Sequence, residues 1–312
     1  LKPLHRTVAA LAWLIALPNL ALASAALALP APAPELALTF DDLPVHGPLP
    51  PGQTRVGVVT DLVAALDAAK APAFGFINGA HTQQEPSSAP ALAVWRASGR
   101  PLGNHTWSHP SLNAIDAATF EAEVARNEPL LRDLMGEGDW RWLRYPFLAE
   151  GDTPEKRGAV RKALAAGGYR IASVTLSFGD YAWNAPYERC LAKGDAAAVA
   201  DLETRFLAAA ASDADRARAM SKALYGRDIP YVLLMHVGAF DARMLPRLLA
   251  LYQARGFTFT TLDKAERDPF YRTDLDPSLP PEPTTLENAL RARGLTPPAS
   301  AIDLAGLDGV CR

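Results

Sequence analysis

Asp41 and Asp42 stand side by side directly after an apolar run at residues 36–40. Neighbouring side chains of a regular strand face opposite ways, so both carboxylates reach one site only where the strand ends and the chain turns. Two like charges that close need a cation or an arginine between them. Taken alone, the pair reads equally well as a solvated acidic turn. His105-Thr106-Trp107-Ser108-His109 sets two imidazoles four residues apart, the spacing that shares one face on a helical turn. Two imidazoles and one carboxylate are a metal-ligand set with a position left for water. The set favours Zn2+, with Co2+, Mn2+ or Ni2+ as other occupants. The spacing by itself is weak, because two loop histidines look the same and the glutamate of HExxH is missing. It gains weight from the acidic pair at another strand end.

Other groups fall at comparable places. Arg144 closes an apolar stretch and needs an acidic partner if it faces a barrel interior, with Asp41 a suitable one. Pro146 has no N–H, so Phe147 supplies the next free backbone donor, suited to a developing oxyanion. Asp180 and Trp183 follow a further strand-like run, and His236 follows Leu233-Leu234-Met235. A lone histidine at a strand end is more often structural, and its position level with the other groups argues for chemistry. His46 and His81 read either as loop residues or as substrate contacts.

These residues need a scaffold that gathers strand ends. Strand-like runs at residues 36–40, 73–77, 101–104, 140–144, 170–174, 231–235 and 257–261 alternate with helical patterns. The helices are expected at residues 55–70, 89–98, 117–135, 154–166, 196–224 and 242–255, several ending in glycine, as at Gly99, Gly136, Gly167 and Gly256. Such alternation implies a parallel sheet. Seven such units suggest an α/β barrel, imperfectly closed, with a C-terminal extension. A doubly wound open sheet is the rival, weakened by the absence of a GxGxxG turn after the first strand. Barrel active sites sit at the C-terminal rim, where Asp41, Asp42, His105, His109, Arg144, Asp180 and His236 would all lie.

Basic residues Lys2, His5 and Arg6 precede an apolar run at residues 8–17, and Ala-x-Ala sites end at Ala23 and Ala25. This predicts an export signal over residues 1–25 and a Pro/Ala-rich spacer over 26–34, hence a periplasmic or secreted protein. An uncleaved anchor is the alternative, but Pro18 and Asn19 break the run short of the ~20 apolar residues a span needs. The barrel is expected over 35–263 and the Pro-punctuated extension over 264–312. In an oxidising compartment Cys190 and Cys311 can pair, against the alternative of two free thiols. Acidic residues outnumber basic ones by 34 to 31, which excludes a nucleic-acid binder driven by a basic field. Neither nucleic acid nor stable membrane insertion is expected.

Four of these segments, in order, resemble the motifs of the polysaccharide deacetylases of carbohydrate esterase family four. They are Thr39-Phe40-Asp41-Asp42, His105-Thr106-Trp107-Ser108-His109-Pro110, Arg144-Tyr145-Pro146-Phe147 and Leu233-Leu234-Met235-His236. A looser match covers Asp180 to Trp183, and the whole resemblance spans about residues 36 to 262. It implies a deformed (β/α) barrel of seven or eight strands, in which Asp41 is the general base and Asp42, His105 and His109 hold the metal. It implies that Arg144 orients Asp41, Phe147 lends its N–H to the oxyanion and His236 is the general acid tuned by Asp180. Trp183 and Leu233 would line the acetyl pocket. Departures are Leu43-Pro44 where Gly-Pro is common and Phe147 where tyrosine is common. The implied activity is removal of N-acetyl groups from a polysaccharide or oligosaccharide, whether chitin-like, peptidoglycan or exopolysaccharide. An O-acetyl esterase acting on xylan or a similar glycan would use the same residues. A carbohydrate-binding protein without catalysis is the third reading.

Overall fold

Strand β1 (Glu35–Leu43) is almost wholly buried, as an apolar run between two layers must be. The computed structural model describes residues 32–275 and 285–312. The expected signal, most of the spacer and residues 276–284 of the extension lie outside the described residues. Six further strands follow: β2 (Ala73–Ile77), β3 (Leu102–Asn104), β4 (Trp142–Leu143), β5 (Arg170–Ile171), β6 (Tyr231–His236) and β7 (Thr258–Thr260). All pairings are parallel, in the order β5-β4-β3-β2-β1-β6, with β7 on the first residues of β1.

The sheet does not end at β5. The chain beyond it turns to β6, where Thr175 and Leu176 both donate N–H to Val232 O at 3.1 and 3.0 Å. Leu234 N returns a bond to Leu176 O at 3.0 Å, completing a parallel bridge between Leu176 and Leu233. The two outer edges are thereby joined into a deformed seven-stranded barrel, as expected, and the doubly wound alternative falls. The joint explains why β4 and β5 are two residues each where five were expected. Their chain bends to close the ring rather than run on.

Eight helices lead round the barrel: α1 (Arg55–Ala68), α2 (Ala80–Gln84), α3 (Pro90–Ala97), α4 (Ala117–Met135), α5 (Pro154–Ala166), α6 (Asn184–Ala192), α7 (Ala196–Tyr225) and α8 (Ala239–Ala254). Side-chain caps set several starts. Thr54 accepts from Gly57 N, Asp116 from Thr119 N, Thr153 from Lys156 N and Asp195 from Ala198 N. Helix α7 stops at Gly226, whose φ of +69° is a conformation other residues resist. The helices bury apolar stripes, such as Val58, Leu62 and Leu66 of α1 and Phe120, Val124 and Leu131 of α4. Each such side chain contributes roughly 1.5–3 kcal/mol. Helices α2 and α6 were not expected, since five and nine residues are too short for a clear period.

After β7 come α9 (Leu262–Ala265), α10 (Arg272–Leu275) and α11 (Leu286–Ala292). Leu286, Leu290 and Leu307 join the same core as the barrel. Cys190 of α6 and Cys311 are bonded, with Cα atoms 5.1 Å apart. Arg189 binds the neighbouring Val310 carbonyl through Nη2 at 2.9 Å. No helix among the described residues is long and apolar enough to cross a membrane.

Candidate active site and metal centre

The adjacent carboxylates meet at one place because β1 carries a bulge. Phe40 pairs with Gly75 and Leu43 with Ile77, so three steps along β1 match two along β2. Asp42 takes a φ of +64°, a left-handed conformation that aspartate tolerates better than most residues. Asp41 stays in register opposite His236. The bulge sends Asp42 to the same rim.

His105 and His109 do not lie on a helical turn, contrary to what their spacing suggested. They sit on an irregular loop after β3, in which Thr106 and His109 have φ of +65° and +61°. Their rings still meet, with centroids 4.8 Å apart. A buried amide network holds this loop. Asn78 Nδ2 donates to His105 O at 2.5 Å, and Asn104 Oδ1 accepts from Thr106 N at 2.8 Å. Asn127 Nδ2 braces both Asn104 Oδ1 and Ile77 O, at 3.1 and 2.7 Å. No sequence signal marked these three asparagines, because a buried network joins residues far apart in the chain.

The donor atoms converge. His105 Nδ1 lies 2.7 Å from Arg144 O and must donate to it, since a carbonyl only accepts. In the neutral ring the Nε2 lone pair then faces Asp42 Oδ1, 3.5 Å away, and His109 Nε2 stands at the same distance. Asp42 Oδ1 is buried and has no hydrogen-bond partner among the described residues. Ligands about 2.0–2.2 Å from a tetrahedral ion stand roughly 3.4 Å apart, so the trio Asp42, His105 and His109 fits a divalent cation. Such a cation would satisfy the orphaned oxygen.

The opposite oxygen is occupied. His46 Nδ1 bonds Asp42 Oδ2 at 2.8 Å, and Arg55 Nη1 holds the His46 carbonyl at 2.9 Å. The His46 ring packs on that of His236, with centroids 4.5 Å apart. Burial works against the Asp42 carboxylate. The His46 hydrogen bond and the surrounding imidazoles overcome it and hold the group well below the usual carboxylate range. Burial and the neighbouring His105 push His109 down to about 4, so its ring is neutral at pH 7 and offers a lone pair. Burial likewise lowers His81, which lies within electrostatic reach of Asp42 and His46.

Asp41 is held from behind. Fully buried Arg144 reaches both its oxygens with Nη1 at 3.2 Å. The rest of the guanidinium is fixed by Ala172 O at 2.7 Å and Thr39 Oγ1 at 3.0 Å. On the far side, Asp180 Oδ2 accepts the His236 backbone N–H at 2.6 Å and Oδ1 faces its Nδ1 at 3.1 Å. Burial disfavours the His236 imidazolium, but Asp180 and the two rim aspartates overrule it and raise the group to about 10.

Three expected placements need comment. Phe147 is 70% exposed with φ +59°, its ring 4.5 Å from that of His109, and among the described residues no acceptor takes its N–H. Leu233 is not where the acetyl-pocket expectation put it. Alternation along β6 gives Leu234 and His236 one face and Leu233 the other. Trp183 is 2% exposed and packs between Phe206 and Phe240. Tyr181, not singled out in the sequence, is 50% exposed, with its ring centroid 5.6 Å from that of His236.

Residues 28–172 match the polysaccharide deacetylase family model. A chitin deacetylase of Pestalotiopsis sp is 25% identical over 145 residues, 46% of this chain and 43% of that one. A chitin deacetylase of Colletotrichum lindemuthianum is 28% identical over 158 residues, 48% of this chain and 54% of that one. The chain thus spans about half the length of the curated relatives it matches. A solved chitin deacetylase structure from Colletotrichum lindemuthianum gives a TM-score of 0.51 at 20% identity, covering 75% of this chain and 87% of that one. A family-four pseudoenzyme from Bacillus anthracis gives 0.50 at 12% identity, covering 75% and 65%. These two structural likenesses speak to the fold. Residues 28–172 therefore resemble a polysaccharide deacetylase domain.

Proposed function

We propose that this protein is a divalent-metal-dependent hydrolase that removes N-acetyl groups from amino-sugar residues of a polysaccharide or oligosaccharide. The observation that carries the reading is the buried, unpartnered Asp42 Oδ1 with two imidazole nitrogens 3.5 Å from it. Asp42, His105 and His109 would hold the ion, Zn2+ first, which supplies Lewis acidity toward an acetyl carbonyl and toward water. Asp41 then accepts the proton of the attacking water. Arg144 keeps that carboxylate aimed, because it grips both oxygens from a fully buried position. The Phe147 N–H, which no acceptor takes among the described residues, stabilises the developing oxyanion. His236, charged through its bond to Asp180, delivers a proton to the leaving nitrogen. An amide needs that proton because an amine anion leaves poorly.

The basic, apolar and Ala-x-Ala order of residues 2–25 supports export, with cleavage after Ala23 or Ala25. The test of activity is acetate release from chito-oligosaccharides, peptidoglycan fragments and acetylated xylan, with and without chelator. Chelator-sensitive release from the amide substrates is the expected result. Release from xylan esters alone would make the protein an O-acetyl esterase. Glycan binding without release from any substrate would make it a non-catalytic carbohydrate-binding protein.

A further inference from the structure

Behind His236 lies a second carboxyl group that the proposed mechanism leaves unused. Asp180 and Asp241 are both fully buried. Asp180 faces His236 with both oxygens. Asp241, in the first turn of α8, comes within hydrogen-bonding range of Asp180 from the other side. Its own Oδ2 accepts from Asn184 Nδ2 at 2.8 Å. Asn184 Oδ1 accepts the Phe240 N–H at 2.8 Å, which fixes the amide and leaves Nδ2 as the donor toward Asp241. Asp241 Oδ1 is buried with no donor to accept from. The packing is tight enough to require Gly238, where any Cβ would strike Asn184 and the Asp241 carboxyl.

This arrangement has room for one negative charge. Two buried carboxylates in contact, with a single imidazolium beside one of them, leave a net charge that burial penalises heavily. A proton on Asp241 converts the clash into a hydrogen bond. The groups facing Asp241 are Asp180 from the turn Asp180–Trp183, His236 from β6 and the neutral Asn184 from α6. None is a base free to take that proton, because Asp180 is engaged with His236. Burial, then the Asp180 charge, push Asp241 far above the usual carboxylate range.

We propose that Asp241 is an un-ionised carboxylic acid whose hydroxyl donates to Asp180 and fixes that carboxylate against His236. It is a positioning residue, and its effect on turnover rests on reading His236 as the proton donor. Asparagine can reproduce its role, since the amide nitrogen donates to Asp180 while the amide oxygen accepts from Asn184.

The test has two readouts. Difference infrared spectroscopy of metal-free wild type against Asp241→Asn at neutral pH should show a protonated-carboxyl band that the variant lacks. No such band in the wild type overturns the proposal, whatever the enzyme does with glycans. Turnover is then compared in Asp241→Leu, which is similar in size but cannot donate. Its kcat should fall at least about tenfold at unchanged KM, with Asp241→Asn recovering most of that loss. Equal loss in both variants, or none in either, overturns the positioning role. Should His236→Ala keep the wild-type rate, the reading of His236 fails, and the infrared band still decides the state of Asp241.

Discussion

The two oxygens of Asp42 have different neighbours, and that difference makes His46 informative. One oxygen faces the nitrogens of His105 and His109, while the other is fixed by His46 at 2.8 Å. Partners that orient a ligating carboxylate typically change metal affinity by about 10–100-fold. Titration calorimetry should show His46→Ala weakening Zn2+ binding by roughly that factor, with His46→Asn restoring part of it. An unchanged Kd in His46→Ala would remove His46 from the account. His236 gives a pH prediction. Its folded-state value of about 10 lies above the unfolded ~6.5, so its stabilisation is complete below about 6.5 and is lost as pH rises through about 10. In urea melts the stability advantage of wild type over His236→Gln should therefore shrink between about pH 6 and pH 10. A constant difference would show that the His236–Asp180 bond is not charged. The candidate residues were readable only together, because each alone has a plain structural reading and several of them fall at strand ends of one sheet. Which face of β6 carries Leu233 could not be read from the motif, because a one-residue shift in a strand reverses the face. The asparagines at 78, 104 and 127 were invisible because their partners are dispersed through the chain.

Among the elements, the long helices and the positions of the strands were legible, and the lengths of β4 and β5 were not. Helix α4 and helix α5 occupy the expected residues, because their caps and apolar periods are local. Strands β4 and β5 depend on how the barrel closes, which is a long-range demand. The loop from His105 to His109 makes the same point. Its spacing suggested a helical turn, and the imidazoles converge through two left-handed residues instead. The tail is a further element with a consequence. Cys190 and Cys311 close a separation of 121 residues, and removing such a crosslink costs about 2–5 kcal/mol. The tail also lies against the turn before Asp180, where Leu304 leaves Gly179 no room for a Cβ. Cys190→Ser should lower Tm measurably and expose the last residues to protease, as read by calorimetry and mass spectrometry of the digest. Unchanged Tm and protection would mean that the hydrogen bonds of Arg189 hold the tail alone.

At the scale of the whole molecule, the barrel serves to bring a bulged strand, two loops and the end of β6 to one rim. Neither a single element nor a single motif contains the site. Closure through Leu176 and the burial of Arg144 hold those parts in place, so the ligand cluster exists only in the folded chain. Binding restricted to the native state raises stability by RT ln(1 + L/Kd) at free ligand concentration L, a gain that grows with the logarithm of free ligand once the site is filled. The most direct test is metal content after loading with Zn2+ and desalting, measured by elemental analysis on wild type, Asp41→Ala and His105→Ala. The account predicts one ion per folded chain for wild type and Asp41→Ala, and little or none for His105→Ala. A folded wild type that takes up no ion, or equal uptake by all three proteins, would contradict it.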